Sequence, residues 1–249
     1  MKVVYHPLYE EVYASDPAAK AGRMESITAE VAPHFEMVTP HPAPVDEIAL
    51  AHSAGHIRHV AGLACAYDMA LLAAGGAIKA SDLAMGGEPA FALIRPPGHH
   101  AGRDHCWGFC YFNNIAVSIA RLRKQGAIGT AAILDIDLHF GDGTAGIFER
   151  VPDVAYCHPE GRNSREFTDA VSRFLAQTRA DIIAVSAGFD RHEDDWGRLL
   201  KTEDYETLGR LVKECAESVC QGRRFGVLEG GYNHAVLGRN VRAFLEGMS

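Results

Sequence analysis

Several features that would settle the class of this chain at once are missing from its sequence. No run of about eighteen apolar residues occurs, which excludes a candidate membrane-spanning helix. Met1 to Tyr9 lack the apolar stretch of a secretory leader, so a cytoplasmic protein with no membrane association is expected. No long block of one charge sign appears: 32 acidic and 24 basic residues are interspersed and sum to -8. A broad basic footprint is absent, and nucleic acid is set aside as a partner. Cationic substrates fit the balance, although net charge chiefly reports solubility. The six cysteines, Cys65, Cys106, Cys110, Cys157, Cys215 and Cys220, are scattered. Cys106 and Cys110 lie close, but no second pair completes a structural zinc site. All six read as reduced, mostly buried packing residues. No repeat, low-complexity tract or Pro/Ser-rich linker divides the 249 residues, so one domain, 1–249, is expected.

What is present is a large apolar fraction, 47%, enough to bury a sizeable core. Short apolar runs alternate with longer amphipathic ones. Strand candidates are Lys2–Tyr5, Phe35–Val38, Phe91–Ile94, Thr130–Ile136, Val154–Cys157, Ile182–Ser186 and Phe225–Leu228. Helical spacing marks Ile57–Lys79, Asn114–Lys124, Arg165–Thr178 and Thr202–Cys220. Strands that are apolar on both sides, separated by helices, point to an α/β fold with a parallel sheet covered on both faces.

Four of these strands run into unusual polar clusters. Phe91–Ile94 leads to Arg95–His100, Thr130–Ile136 to Asp137–Gly143, Ile182–Ser186 to Ala187–Asp190, and Phe225–Leu228 to Glu229–Asn233. Ligands of open parallel sheets bind beyond the carboxyl ends of the strands, so the four clusters can converge. Asp137 and His139, two apart on an extended segment, point to one side and can reach one ion. Their donors suit zinc, and Fe(II) or Co(II) less selectively. Asp190 offers a third ligand. His99 and His100 can divide the work of general base and electrostatic partner, with Asp135 and Asp142 placed to orient them. Tyr232, after two glycines, can donate to an oxyanion. Gly108 and Phe109 can wall the site. Each alone has a plainer reading: a strand-end hydrogen bond, a helix cap, a solvated turn, a surface tyrosine, a core phenylalanine. Together, at the ends of strands of one inferred sheet, they match the needs of a metal-assisted hydrolase.

The motifs RPPGHH (Arg95–His100), GFCYFNN (Gly108–Asn114), DIDLHFGDGT (Asp135–Thr144), SAGFD (Ser186–Asp190) and EGGYN (Glu229–Asn233) resemble, in order and spacing, the histone deacetylase / acetylpolyamine amidohydrolase family. The resemblance implies an arginase/deacetylase-like three-layer fold with a central, mostly parallel sheet, usually of eight strands. It implies Asp137, His139 and Asp190 as Zn2+ ligands, with Fe2+ or Co2+ as alternatives. It makes His100 the general base and His99 its electrostatic partner, oriented by Asp142 and Asp135 respectively. Tyr232 becomes the oxyanion donor, Gly108, Phe109 and Gly230 border the substrate, and Asp135 adjoins a structural K+. The implied reaction is hydrolysis of an acyl, chiefly acetyl, amide on acetyl-lysine, an acetylpolyamine or another small acylated amine.

Three departures stand out. Phe140 replaces a second histidine, the segment after Asp16-Pro17 is short and poor in arginine, and the stretch from His158 to Ser164 is much shortened. In relatives that stretch helps wall the substrate tunnel, so a wider, shallower entrance or one completed by a homo-oligomer is expected. A binuclear ureohydrolase on the same fold is the runner-up enzyme, but Arg191-His192 follow Asp190 where a further carboxylate would be needed. A non-catalytic module that binds acylated amines is the other alternative; it would be marked by a lost ligand, base or oxyanion donor, and none is lost.

Overall fold

Strand formation follows the β-branched and aromatic content of seven short segments, with alanine filling positions between them in the buried strands. They are β1 (Lys2–Val4), β2 (Glu36–Val38), β3 (Ala90–Ala92), β4 (Ala131–Asp135), β5 (Val154–Cys157), β6 (Ile183–Ala187) and β7 (Arg224–Leu228). The structure, a computed structural model, describes residues 1–249, the side chain of Ala64 excepted. All seven strands join one parallel sheet in the order β2-β1-β3-β7-β6-β4-β5. Each strand candidate read from the sequence is a strand here. The sheet has seven strands rather than the eight that the resemblance implied.

Every residue of β3, β4, β6 and β7 is buried, as expected of strands covered on both faces. The helices fall into two groups. Helix α4 (Ala64–Met85) packs on β1, β3 and β7 and against α5 (Asn114–Lys124), with α3 (Ala54–Ala61) beside it. The second group runs from α1 (Arg23–Val31) to α9 (His234–Met248), α8 (Thr202–Val219) and α7 (Ser164–Gln177), each touching the next. Short helices α2 (Val45–Ile48) and α6 (Asp142–Phe148) complete the set. Among the described residues, no helix is long and apolar enough to cross a membrane.

Where the structure departs from the helical spacing, the cause is local. The expected Ile57–Lys79 helix is two helices, because Gly62 and Leu63 form a tight turn whose N–H groups bond back to His59 and Val60. The spacing alone gave no bounds for α1 and α9, yet α9 buries a regular stripe of Leu237, Val241, Phe244, Leu245 and Met248. All six cysteines are free, and Cys110, Cys215 and Cys220 are buried. Cys65 is exposed at the start of α4, so the packing reading fails for that residue.

Candidate active site

The four strands that run into polar clusters, β3, β7, β6 and β4, are consecutive in the sheet. Their carboxyl ends therefore open side by side, and the motif loops meet above them. Asparagines of the GFCYFNN motif tie these loops together. Asn113 donates to Ala101 O and Thr144 Oγ1, both at 3.0 Å, while its own oxygen caps α5 at Ala116 N. Asn114 donates to Pro96 O at 3.1 Å.

Beyond β4 the backbone turns so that Asp137 and His139 face Asp190 from the end of β6. His139 Nδ1 lies 3.2 Å from Asp137 Oδ1 and 3.1 Å from Asp190 Oδ2. Donor atoms of all three lie within 4.8 Å of one another. The carboxylates are aimed by backbone amides. Asp137 accepts from His139 N and Gly230 N, both at 2.8 Å, and Asp190 Oδ1 accepts from Leu138 N at 3.0 Å. Asp190 Oδ2, fully buried, makes no well-formed hydrogen bond, although the His139 ring is close by. A buried carboxylate oxygen left unpaired is costly, and a cation is what such a site calls for. Two glycines make room for the cluster: a Cβ on Gly230 would stand 2.6 Å from Asp137 Oδ2 and 2.8 Å from Asp190 Oδ2, and one on Gly188 would strike Asp137. Two carboxylates and one imidazole are donors that fit Zn2+, Fe2+ or Co2+.

Burial pushes the Asp137 carboxyl up, but His99 and the His139 and Gly230 hydrogen bonds outweigh it and hold Asp137 below the usual range. Asp190 moves the other way, raised by burial and by the Asp137 charge. Without a cation, the two carboxylates compete for the ionised state.

Beside this cluster stand two histidine–aspartate pairs. His99 Nδ1 is 3.1 Å from Asp135 Oδ2, and His100 Nδ1 is 2.7 Å from Asp142 Oδ1. The two imidazole rings lie 4.0 Å apart between centroids. Their environments differ in sign. Burial disfavours charge on His99, yet Asp137 and Asp135 overcome it and raise its pKa well above 6.5. Burial and the neighbouring His99 lower that of His100, with the Asp142 hydrogen bond opposing. The two rings are thus shifted in opposite directions, the kind of separation found in acid–base pairs.

Tyr232 completes the circle. Together with Pro97, His99, His100, Trp107, Gly108, Phe109, His139, Trp196 and Gly230, it lines a cavity of about 120 Å³. All three sequence candidates for substrate contact, Gly108, Phe109 and Gly230, are on its wall. The Tyr232 ring stacks on Trp196 at 4.0 Å and meets Phe109 edge-on at 6.1 Å. Burial, then the Asp137 and Asp190 carboxylates, push its phenol far above 10, so it remains a proton donor. The EGGYN turn is held from two sides. Arg23 donates to Glu229 O at 2.6 Å and Gly231 O at 2.8 Å, and Asp195 accepts from Tyr232 N and Asn233 N, both at 2.8 Å.

Several of these supports are not singled out by the sequence. Trp107 and Trp196 stand half-exposed at the mouth and supply walls there. The shortened stretch after His158 lies to one side, where His158 meets the half-exposed Phe140 ring edge-on. The Tyr156 hydroxyl donates to Asp135 at 2.9 Å. Glu229, buried, accepts from Gly98 N, His99 N and Ser186 Oγ, and burial raises its carboxyl to about 7. Arg191 turns back to donate to Asp137 O at 3.0 Å. Arg23, Trp107, Tyr156, Arg191, Asp195 and Trp196 lie outside the motifs and the strands that lead into them, and each acts on a partner distant in sequence, so no local signal marks it.

A parallel α/β sheet carries two oriented histidines beside a cluster of three residues that could hold a metal ion. A family model described as the histone deacetylase domain matches residues 17–163 and 159–248. The chain belongs to that family, which places it among the hydrolytic deacetylases and amidohydrolases. A probable deacetylase of Methanothermobacter thermautotrophicus is 28% identical, covering 100% of this chain and 90% of the relative. The acetylpolyamine amidohydrolase of Mycoplana ramosa is 33% identical over 74% of this chain and 63% of its own length. The histone deacetylase-like amidohydrolase of Pseudomonas aeruginosa is 33% identical over 68% of this chain and 55% of its own. The chain thus spans less than two thirds of both of these amidohydrolases. The crystal structure of the HDA15 HD domain shares the fold, with a TM-score of 0.80 at 23% identity over 99% of this chain and 90% of that one.

Proposed function

We propose that residues 1–249 form a single catalytic domain that hydrolyses an acyl, chiefly acetyl, amide to a carboxylic acid and a free amine. The observation that carries this reading is the opposed setting of His99 and His100 beside the Asp137–His139–Asp190 cluster. These three residues would hold a divalent ion, Zn2+ by the chemistry of the donors, with Fe2+ or Co2+ as alternatives. When bound, the ion supplies Lewis-acid polarisation of the amide carbonyl and acidifies water.

The chain's own groups account for the proton movements. His100, oriented by Asp142, takes a proton from water as the water oxygen adds to the acyl carbon. His99, held charged by Asp135 and Asp137, stabilises the negative charge that develops beside it. Tyr232 donates its hydroxyl hydrogen to the former carbonyl oxygen. The carbon–nitrogen bond then breaks, and the amine nitrogen receives a proton from a protonated histidine of the pair. Phe109, Trp107 and Trp196 exclude water from the acyl group, and Gly108 and Gly230 leave it room.

Acetyl-lysine, acetylpolyamines and other small acylated amines are the substrates proposed, and the relatives named as deacetylase and acetylpolyamine amidohydrolase support that class. Asp135, through its carboxylate and nearby main-chain oxygens, is the proposed edge of a structural K+ site. The six free cysteines support a reducing, cytoplasmic setting. The test is release of acid from an acetyl-lysine peptide, an N-acetylated polyamine and a bulkier acyl amide, each with and without chelator. Turnover of none of them, or turnover that survives metal removal, would sink the reading. A module that only binds acylated amines would retain these ligands with affinity and release no product.

A further inference from the structure

We propose that Trp107 is a positioning residue: its indole locks the Asp142 carboxylate and, through it, the His100 imidazole. This rests on the reading of His100 as general base. Asp142 opens α6 and its side chain is 37% exposed, a poor setting for a carboxylate that must hold a ring still. His105 Nε2, on an exposed side chain, stands 3.9 Å from its Oδ2 and competes for it. Water competes as well. Trp107 Nε1 donates to that same oxygen at 2.9 Å, while Oδ1 faces His100 at 2.7 Å. With one oxygen tied to each ring, the carboxylate cannot rotate without breaking a charge-assisted hydrogen bond.

The indole also acts on His100 directly. Its ring lies 4.0 Å from the imidazole with a 35° tilt, so His100 is flanked at the same distance by His99 and by Trp107. Trp107 is itself 53% exposed, so its burial contributes little to the core, and its place is set by two interactions with the dyad. The loop is bent to allow this. Gly108 and Phe109 both have positive φ, 58° and 68°, and a Cβ on Gly108 would collide with the His100 ring. Only glycine at 108 lets the chain close over the imidazole and set the preceding indole against it. Outer partners that orient metal-binding histidines typically matter by about 10- to 100-fold, and the low end of that range is the expectation for an indole acting on His100 through Asp142.

The experiment is a double-mutant cycle on the metal-loaded full chain, using an acetyl-lysine reporter peptide. Trp107→Phe keeps an aromatic face and removes the donor. It should lower kcat about 10-fold and leave KM within about 2-fold. In an Asp142→Asn background the same change should cost less than about 2-fold, since the contact it serves is already altered. Equal losses in both backgrounds, or a loss confined to KM, would mean that Trp107 is only a wall of the cavity. Proton NMR gives a reading independent of turnover: the His100 Nδ1 proton should exchange slowly in the parent chain and faster in Trp107→Phe. Unchanged exchange overturns the proposal. If the parent chain hydrolyses no acyl amide, the functional reading fails while the exchange measurement still decides the role of Trp107.

Discussion

Replacing Tyr232 by phenylalanine separates the chemistry of this site from its architecture. The ring's contacts, stacking on Trp196, the edge-on meeting with Phe109 and the Arg23 guanidinium 5.6 Å from its centroid, survive the change. Among the described residues, the hydrogen bond that positions Tyr232 is made by its backbone N–H to Asp195, and that also survives. Stability should therefore shift by no more than about 0.5 kcal/mol. If Tyr232 acts as proposed, what is lost is one oxyanion donor, typically about 10²–10³ in turnover or roughly 3–4 kcal/mol. Because the phenol's pKa is raised, the parent enzyme should keep its donor protonated past pH 10, and no alkaline loss of activity should trace to this residue. The assay is kcat and KM on an acetyl-lysine peptide beside thermal melting and metal content. Substrate affinity should fall far less than kcat, since the interaction forms in the transition state. Full turnover in Tyr232→Phe would refute the reasoning, leaving the hydroxyl outside the reaction.

Elemental analysis of active protein should find one divalent ion per chain, and His139→Ala should lose metal and activity together; two ions or none would contradict the assigned ligands. His100→Ala should cost more turnover than His99→Ala, and the acid limb of kcat/KM should fall below pH 6.5, because a depressed pKa keeps the base neutral down to lower pH. A stronger defect in His99→Ala would reverse the two roles. His52 offers a separate test on stability: it is buried, accepts from Asn113 N at 2.9 Å, and its pKa is lowered to about 3 by burial and by His56. A depressed histidine stabilises the fold fully above pH 6.5 and loses that contribution as pH falls toward 3. The loss should reach about 3 kcal/mol by pH 4. The fall in stability across that window should be shallower in His52→Gln, and an identical slope would show that His52 does not carry it.

The four central strands β3, β4, β6 and β7 were legible because they are short, apolar and buried throughout, whereas β2 and β5 at the edges are only partly buried. Candidate residues could be read where they sit within or just past those strands: Asp135, Asp137, His139, Asp190 and Tyr232 fall at strand ends that the sheet order then places side by side, whereas Glu229 lay in a motif without being read for a role. The adjacency itself was not readable, since β7 enters between β3 and β6 and nothing local announces that. Arg23 illustrates the limit. It looks like any surface arginine opening an amphipathic helix, yet it is fully buried and bonds a turn 208 residues away. The two tryptophans at the mouth escape a reading of the sequence for a related reason, as their partners, Asp142 and Tyr232, lie 35 residues or more from them along the chain.

The central place of β7 bears on how the chain can be made. It is the last of the seven strands in chain order, and it alone joins β2-β1-β3 to β6-β4-β5. Without β7, the inner edges of β3 and β6 have no strand partner between them. Those edges are composed largely of Ala, Phe, Ile and Val that end wholly buried. Such edges are templates for wrong pairing, and contacts this distant in sequence form slowly. A chain released early would carry the histidines and metal-type donors without the turn that gathers them. It would be a sticky pair of fragments rather than a weakened enzyme.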